Sequence, residues 1–449
     1  MSATGIALAG CKPKDDGTVS EKAAGKEPSA ENMTYRINSK TGDRVSLLGY
    51  GCMRWPMMPS PDGSGEVVDQ ESVNQLVDYA IAHGVNYFDT APPYVRGLSE
   101  EATGIALSRH PRHTYYIATK MSNQSFARDG LKGKELFDAS VRMYRNSMEK
   151  LRTDYLDYYL LHNVGGETGI PFLKQRFFES GLLDFLMKER EAGRIRNLGF
   201  SYHGDVKVFD YLLSLHDEIG WDFVQIQLNY VDYRHASGMN FNAEYLYGEL
   251  EKRGIQSVVM EPLLGGRLAT LNDHLNSRLK AREPEESIAS WAFRFSGTFP
   301  QVLTVLSGMT YKEHLIDNLA TYSPLRPLND DEMDLLEDTA VKFVSLPSVP
   351  CNACDYCMPC PYGINIPAVF THYNKCINEG NAPSSSKDKD YERARRAFLI
   401  GYDRSVPKLR QASHCIGCRR CVPECPQTID IPAQLHRIDR YVESLKQRT

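Results

Sequence analysis

The sequence predicts a (β/α)8 barrel of the TIM-barrel class, followed by a smaller, mainly α-helical domain. Short β-rich runs alternate eight times with helical patterns between residues 33 and 325. Such alternation builds a parallel sheet from βαβ units, and eight units close into a barrel. The rival is an open doubly wound sheet, which usually carries a glycine-rich fingerprint after its first strand; none is present here. Cysteine marks the second domain. Nine of the 11 cysteines lie in residues 351–449, eight of them in two tight runs.

Residues 1–32 precede the pattern. Leu8-Ala9-Gly10-Cys11 resembles a lipoprotein cleavage box, whose cysteine takes a lipid anchor, but its apolar stretch is short and lacks a preceding basic region. Two readings follow: a truncated export or lipoprotein signal ahead of a polar tether, or a plain polar terminus. As written the chain is expected in the cytoplasm; the first reading would make it an exported cell-envelope lipoprotein.

Strands are expected at 45–51, 87–91, 115–120, 155–162, 195–201, 223–229, 257–263 and 302–308. The intervening helices are expected at 69–83, 133–151, 178–192, 205–215, 243–253, 284–295 and 311–322. They space apolar residues by three and four, as in Val73, Leu76, Val77 and Ala80. Residues 326–350 read as a helical linker, with an acidic helix over 330–344 and then Pro347 and Pro350.

Hydrophobic residues are 42% and charged residues 24% of the chain, a soluble globular balance that excludes disordered and fibrous classes. No run approaches 18 consecutive apolar residues, so no transmembrane segment is written. The net charge of −5 leaves no footprint for nucleic acid. It divides unevenly: residues 351–449 carry +5 and residues 1–350 carry −10.

The first cysteine run is Cys351, Cys354, Cys357 and Cys360; the second is Cys415, Cys418, Cys421 and Cys425. Both end in Cys-Pro and continue x-x-Ile-x-Ile-Pro-Ala, an internal repeat that predicts a pseudo-twofold helical domain. Tight spacing in a long chain reads as metal ligation rather than a disulfide framework. C-x2-C-x2-C presents three thiolates from one loop, and in two-cluster ferredoxins the cysteine before proline serves the other cluster. The second run keeps the C-x2-C-x2-C-x3-C-P spacing, and the first is one residue short before Cys360. The expected assignment is Cys351, Cys354, Cys357 and Cys425 on one [4Fe-4S] cluster, and Cys415, Cys418, Cys421 and Cys360 on a second. Residues 351–449 then form a two-cluster ferredoxin-like iron–sulfur domain. Two structural zinc sites, each of four cysteines, are the alternative. The run Arg393, Arg395 and Arg396 offers either a dock for an acidic electron-transfer partner or a solvated helix face. Cys52 and Cys376 stand outside the runs and read as buried small residues.

In a (β/α)8 barrel, chemistry sits at the C-terminal ends of the strands. There the sequence places Asp89 and Tyr94, Lys120 and His162, after the second, third and fourth strands. The set suits carbonyl reduction. Adding hydride to C=O leaves an alkoxide that needs a proton, and a tyrosine becomes a better donor beside a lysine ammonium. Asp89 balances the lysine, and His162 orients the carbonyl oxygen.

With Phe88-Asp89-Thr90-Ala91, Tyr94, Ser99-Glu100, Lys120 and Leu161-His162-Asn163, the sequence resembles the aldo-keto reductases. The cysteine repeat makes it similar to bacterial members with a C-terminal 4Fe-4S ferredoxin-type domain. The resemblance implies Asp89, Tyr94, Lys120 and His162 as a catalytic tetrad, and NADP(H) or NAD(H) extended across the barrel top. It implies cofactor contacts at Ser201, Gln225, Ser307, Gly308, Asp317 and Asn318. The chain departs from the pattern at Tyr202, where Asn is usual, and at Glu261, where a nicotinamide-stacking Tyr is usual. No basic residue follows Ser307, and His314 stands where Arg is common. NAD versus NADP stays open.

Apart from the resemblance, Thr310 to Glu313 has the form of a capping box opening the last helix. Free N–H groups there suit a phosphate, and Gly265-Gly266-Arg267 would close over the same ligand; a helix cap and an ordinary loop are the alternatives. The expected function is carbonyl–alcohol interconversion on a small substrate by hydride transfer with NAD(P)(H), coupled or adjacent to [4Fe-4S] electron transfer. The alternative is an electron-transfer or redox-sensing protein whose barrel is a binding scaffold without nicotinamide turnover.

Overall fold

The computed structural model describes residues 28–447, apart from residues 64, 167, 168 and 239. The leader and the lipid-anchor reading of Cys11 therefore lie outside the described residues. Eight parallel strands close into a barrel: β1 (Leu48–Gly51), β2 (Tyr87–Asp89), β3 (Tyr116–Met121), β4 (Leu156–Val164), β5 (Ile195–Tyr202), β6 (Phe223–Gln227), β7 (Gln256–Met260) and β8 (Val302–Ser307). Each pairs with the next, and β8 closes on β1 through Val305, Leu306 and Ser307 opposite Leu48, Gly49 and Tyr50. The strands are buried on both faces, which is why they read as near-continuous apolar runs.

The eight expected runs correspond to these strands, with one correction. The first run splits, and only Leu48–Gly51 enters the barrel. Arg44–Ser46 pairs antiparallel with Tyr35–Ile37 instead. The break has a local cause: Ser46 Oγ donates to the Leu48 carbonyl at 2.7 Å, and the Ser46 N–H goes to Asn86 Oδ1. The turn of this hairpin covers the N-terminal end of the barrel, where Asn38 donates to Tyr158 and Asn197, and the Ser39 N–H to Gln256.

All seven expected helices form within a few residues of their expected bounds. The helix Ser99–Leu107 was not expected. Its small residues Ala102, Gly104 and Ala106 make no apolar stripe, because it is buried almost all round; a Cβ at Gly104 would lie 2.1 Å from the Lys150 carbonyl. The stretch 326–350 is helical over Asp330–Val344, and it docks on the barrel through Leu336, Ala340 and Phe343. Arg294 grips Glu332 with bonds of 2.9 and 2.8 Å to its two carboxylate oxygens.

Beyond it lies a module with its own core of Val349, Phe370, Phe398, Leu435 and Ile438. Three helices build it: Ile366–Asn378, Tyr391–Ser405 and Ile431–Gln447. The sequence repeat has a structural meaning. Each Ile-Pro-Ala opens a helix, with proline in the first turn, where its missing N–H costs nothing.

The module sits over the C-terminal ends of the barrel strands. Arg54 after β1 donates to the Asn352 carbonyl at 2.7 Å, and Arg128 after β3 pairs with Glu424 at 2.6 Å. Asn240 after β6 donates to Gln427 at 2.6 Å. Gly265 after β7 lies under Asn352 so closely that a Cβ would stand 2.4 Å from its Cα. Among the described residues no helix is long and apolar enough to cross a membrane.

Candidate active site

Under the module lies a cavity of about 660 Å3, lined from both sides. The barrel supplies Asp89, Tyr94, His162, Gln225, Glu261 and Ser307, among others; the module supplies Asn352, Cys354, Tyr356, Pro426 and Gln427.

Asp89 ends β2 and Lys120 stands one residue from the end of β3, so the two neighbouring strands bring them together. Lys120 Nζ donates to Asp89 Oδ1, and also to the Thr90 carbonyl at 2.7 Å. Neither side chain is more than 3% exposed. Burial lowers the Lys120 ammonium and raises the Asp89 carboxyl, and each opposes the other's shift. Asp89 Oδ2 has no partner.

Tyr94 enters through a left-handed turn, with Val95 and Arg96 at φ 50° and 54°. Its ring lies 4.8 Å from Lys120 Nζ and meets His162 edge to face at 6.0 Å. The Lys120 ammonium sits over the Tyr94 ring. Burial pushes the Tyr94 hydroxyl well above its ordinary value, with Tyr356, Asp89 and Glu261 adding to the rise, so the group rests as the phenol. His162, two residues before the end of β4, bonds through Nδ1 to Ser122 Oγ. Burial first, then the charge of Lys120, pushes it well below its ordinary value, so the ring is neutral.

Of the expected cofactor residues, Gln225, Gly265, Gly266, Ser307, Gly308, Thr310, Asp317 and Asn318 line the cavity. Two do not. Ser201 is turned into the strand and accepts from the Asn163 N–H at 2.9 Å. Arg267 faces away from the cavity, donating to Ser348 at 2.7 Å with its guanidinium 4.8 Å from the Phe343 ring. The capping box also fails to form. The last barrel helix is Lys312–Tyr322, capped by Tyr311 without a side-chain bond, so it begins after Thr310. Its first N–H groups therefore lack the expected cap, while Asn318 is tied to Ser307 at 2.9 Å and Asp317 to Ser287 at 2.7 Å.

The cavity's other polar atoms bear on what it can hold. Gln225 Oε1, Asn163 Oδ1 and His203 Nδ1 are buried without a hydrogen-bond partner. Buried polar atoms of this kind are normally satisfied; here they face a cavity that has room for a polar ligand. Sequence reasoning missed His203, although it follows β5 directly. It also missed Asn352, Tyr356 and Gln427, which no strand-end rule places near the barrel.

The described cysteines are all free thiols. Cys351, Cys354 and Cys357 each feel Cys425, Cys421 feels Cys418, Cys360 and Cys415, and Cys357 also feels Cys421. Burial pushes the Cys354 thiol up to about 12. Among the described residues, no three His, Cys, Asp or Glu side chains are drawn in tightly enough to hold a single metal ion.

The sequence profile described as the Aldo/keto reductase family matches residues 47–340. The chain belongs to that family. An aldo/keto reductase assignment fits the closed barrel, and the matched stretch stops before the first module cysteine. Among curated relatives, L-galactose dehydrogenase of Arabidopsis thaliana is 28% identical over 331 residues, 69% of this chain and 94% of its own. Protein tas of Escherichia coli is 32% identical over 199 residues, 40% of this chain and 55% of its own. Two solved aldo-keto reductases share the fold. One from Klebsiella pneumoniae, in complex with NADP and acetate, has a TM-score of 0.52 at 22% identity, covering 69% of this chain and 95% of its own. One from Bacillus halodurans has a TM-score of 0.51 at 21% identity, covering 68% and 96%.

Proposed function

We propose that this aldo/keto reductase interconverts a small carbonyl and an alcohol with NAD(P)(H), and that its two cysteine quartets hold [4Fe-4S] clusters. The observation that carries the catalytic reading is the buried Lys120–Asp89 pair beneath Tyr94, with Tyr94 and His162 on one cavity wall. The chemistry a bound nicotinamide supplies is hydride transfer to or from carbon. The chain's own residues manage the oxygen and its proton. In the tautomer whose Nδ1 accepts from Ser122, neutral His162 carries its proton on Nε2 and donates it to the carbonyl oxygen. Tyr94, held as the phenol, delivers the proton as negative charge develops on that oxygen. Lys120 then stabilises the phenolate left behind, and Asp89 keeps the lysine charged until that moment. In the alcohol-oxidising direction Tyr94 takes the proton back.

The unpartnered Gln225 and Asn163 oxygens suit a carboxamide N–H or a hydroxyl. The uncapped start of Lys312–Tyr322 suits a phosphate. The unpartnered Gln225, Asn163 and His203 atoms, together with a relative named L-galactose dehydrogenase, favour a hydroxylated substrate. The cysteine spacing favours multi-iron clusters over zinc, because each run presents three thiolates from one loop and a further cysteine before proline. The chemistry a cluster supplies is one-electron transfer, which opens a route to a protein partner.

The deciding experiment is an anaerobic visible spectrum with iron and sulfide analysis, repeated with NADPH or NADH. A brown protein with about eight irons that bleaches with nicotinamide is expected. A colourless protein with two zinc ions would overturn the cluster reading. An iron-loaded protein without saturable nicotinamide binding would overturn the reductase reading in favour of a scaffold.

A further inference from the structure

The first cysteine run does more than bracket a thiol quartet. Segment 352–356 threads between the loops that follow β1, β2 and β7. Arg54 holds its Asn352 carbonyl at 2.7 Å, and Asn352 fills the space directly above Gly265. Asp355 lies in the field of both Arg54 and Arg96. Tyr356, between Cys354 and Cys357, lines the same cavity as Tyr94, and the two side chains interact there.

The loop it leans on stores strain. Val95 is β-branched yet stands at φ 50°, and Arg96 follows at φ 54°. Such conformations cost of order 1–3 kcal/mol each and persist only where the surroundings impose them. Tyr94 is the residue this loop delivers. A phenol aimed at a carbonyl oxygen must be held to a fraction of an ångström.

We propose that Tyr356 is a positioning residue for Tyr94: the module reaches into the barrel mouth with this side chain and fixes the direction of the Tyr94 hydroxyl. The assignment rests on reading Tyr94 as the proton-transferring group. It makes the module part of the site. Because Tyr356 lies between two thiols of one quartet, whatever orders that quartet also orders the catalytic tyrosine.

The test uses the full, iron-loaded chain. In Tyr356→Ala, backbone amides from Tyr94 to Leu98 should exchange hydrogen about ten-fold faster. Tyr356→Phe, which keeps the ring, should restore wild-type protection. With NADPH and 4-nitrobenzaldehyde as probes, Tyr356→Phe should still lose about ten-fold in kcat with KM little changed. Rescue of protection without rescue of rate is the signature of orientation through the hydroxyl. Tyr356→Leu replaces the alanine variant if that chain does not fold. Unchanged exchange at residues 94–98 overturns the assignment, whatever the protein catalyses. A faster Tyr356→Phe enzyme also overturns it, because the hydroxyl would then occupy the substrate's place. If exchange responds while Tyr94→Phe keeps full turnover, the clamp stands and the reading of Tyr94 falls.

Discussion

Arg54 and Asn352 join the two halves of this protein, the guanidinium after β1 donating to the backbone carbonyl beside the first module cysteine at 2.7 Å. The bond is partly buried, and the Arg54 stem also covers Gly308, with Cδ 3.2 Å from the position a Cβ would take there. A hydrogen bond from a charged donor is worth about 1.5–3 kcal/mol. Arg54→Ala should therefore loosen the module over the cavity. Hydrogen exchange in residues 351–357 should rise, while the helix Ile431–Gln447 keeps its protection. Equal exchange in both proteins would show that the other module contacts suffice.

The tetrad positions should separate by stability as well as by rate. Tyr94→Phe should reduce turnover by about 10²–10⁴ and leave the melting temperature nearly unchanged, since the ring remains. Lys120→Met leaves Asp89 as an uncompensated buried charge, a loss of about 3–5 kcal/mol. The double variant Asp89→Leu/Lys120→Met should recover much of that loss without recovering activity. Thermal melts beside steady-state rates check both statements.

A second buried pair holds the helix Asp330–Val344 to the barrel. Arg294 and Glu332 are 3% and 5% exposed, and both carboxylate oxygens accept from Arg294 Nη2. Arg294→Met should cost about 3–5 kcal/mol, because Glu332 is left charged and unpaired. Urea unfolding curves would measure it; a cost under about 1 kcal/mol would mean that Glu332 finds water.

Acid stability should depend on His203. Burial lowers its folded value to about 4 from 6.5, so below pH 6.5 the unfolded chain binds a proton that the folded chain refuses. Its contribution is therefore lost as pH falls from about 6.5 to about 4, and is constant above that window. The buried carboxyls Asp157 and Asp232, raised by burial, act in the opposite sense. Comparing wild type with His203→Asn isolates the histidine. The variant should lose less melting temperature between pH 7 and pH 4.5, and parallel curves would contradict the prediction.

How much of this was legible in the sequence depended on range. Strand period, helix period and the eight β/α alternations are local, so the barrel was readable from residue types alone. Asp89, Tyr94, Lys120 and His162 were readable too, because strand ends in a closed barrel converge by geometry, as was the repeat that opens two helices with Ile-Pro-Ala. Residue types alone thus fixed the barrel, the meeting of Asp89, Tyr94, Lys120 and His162 at its mouth, and the cysteine spacing. The helix Ser99–Leu107 escaped because a helix buried all round has no periodic stripe. The capping box at Thr310 escaped because the helix began after it. Only the tertiary structure turned Arg267 toward Ser348, laid the Lys120 ammonium over the Tyr94 ring, and carried Tyr356 from a cysteine run to Tyr94. Those outcomes follow from packing between segments far apart in the chain, or from competition for one partner in a closed space. No local rule encodes either.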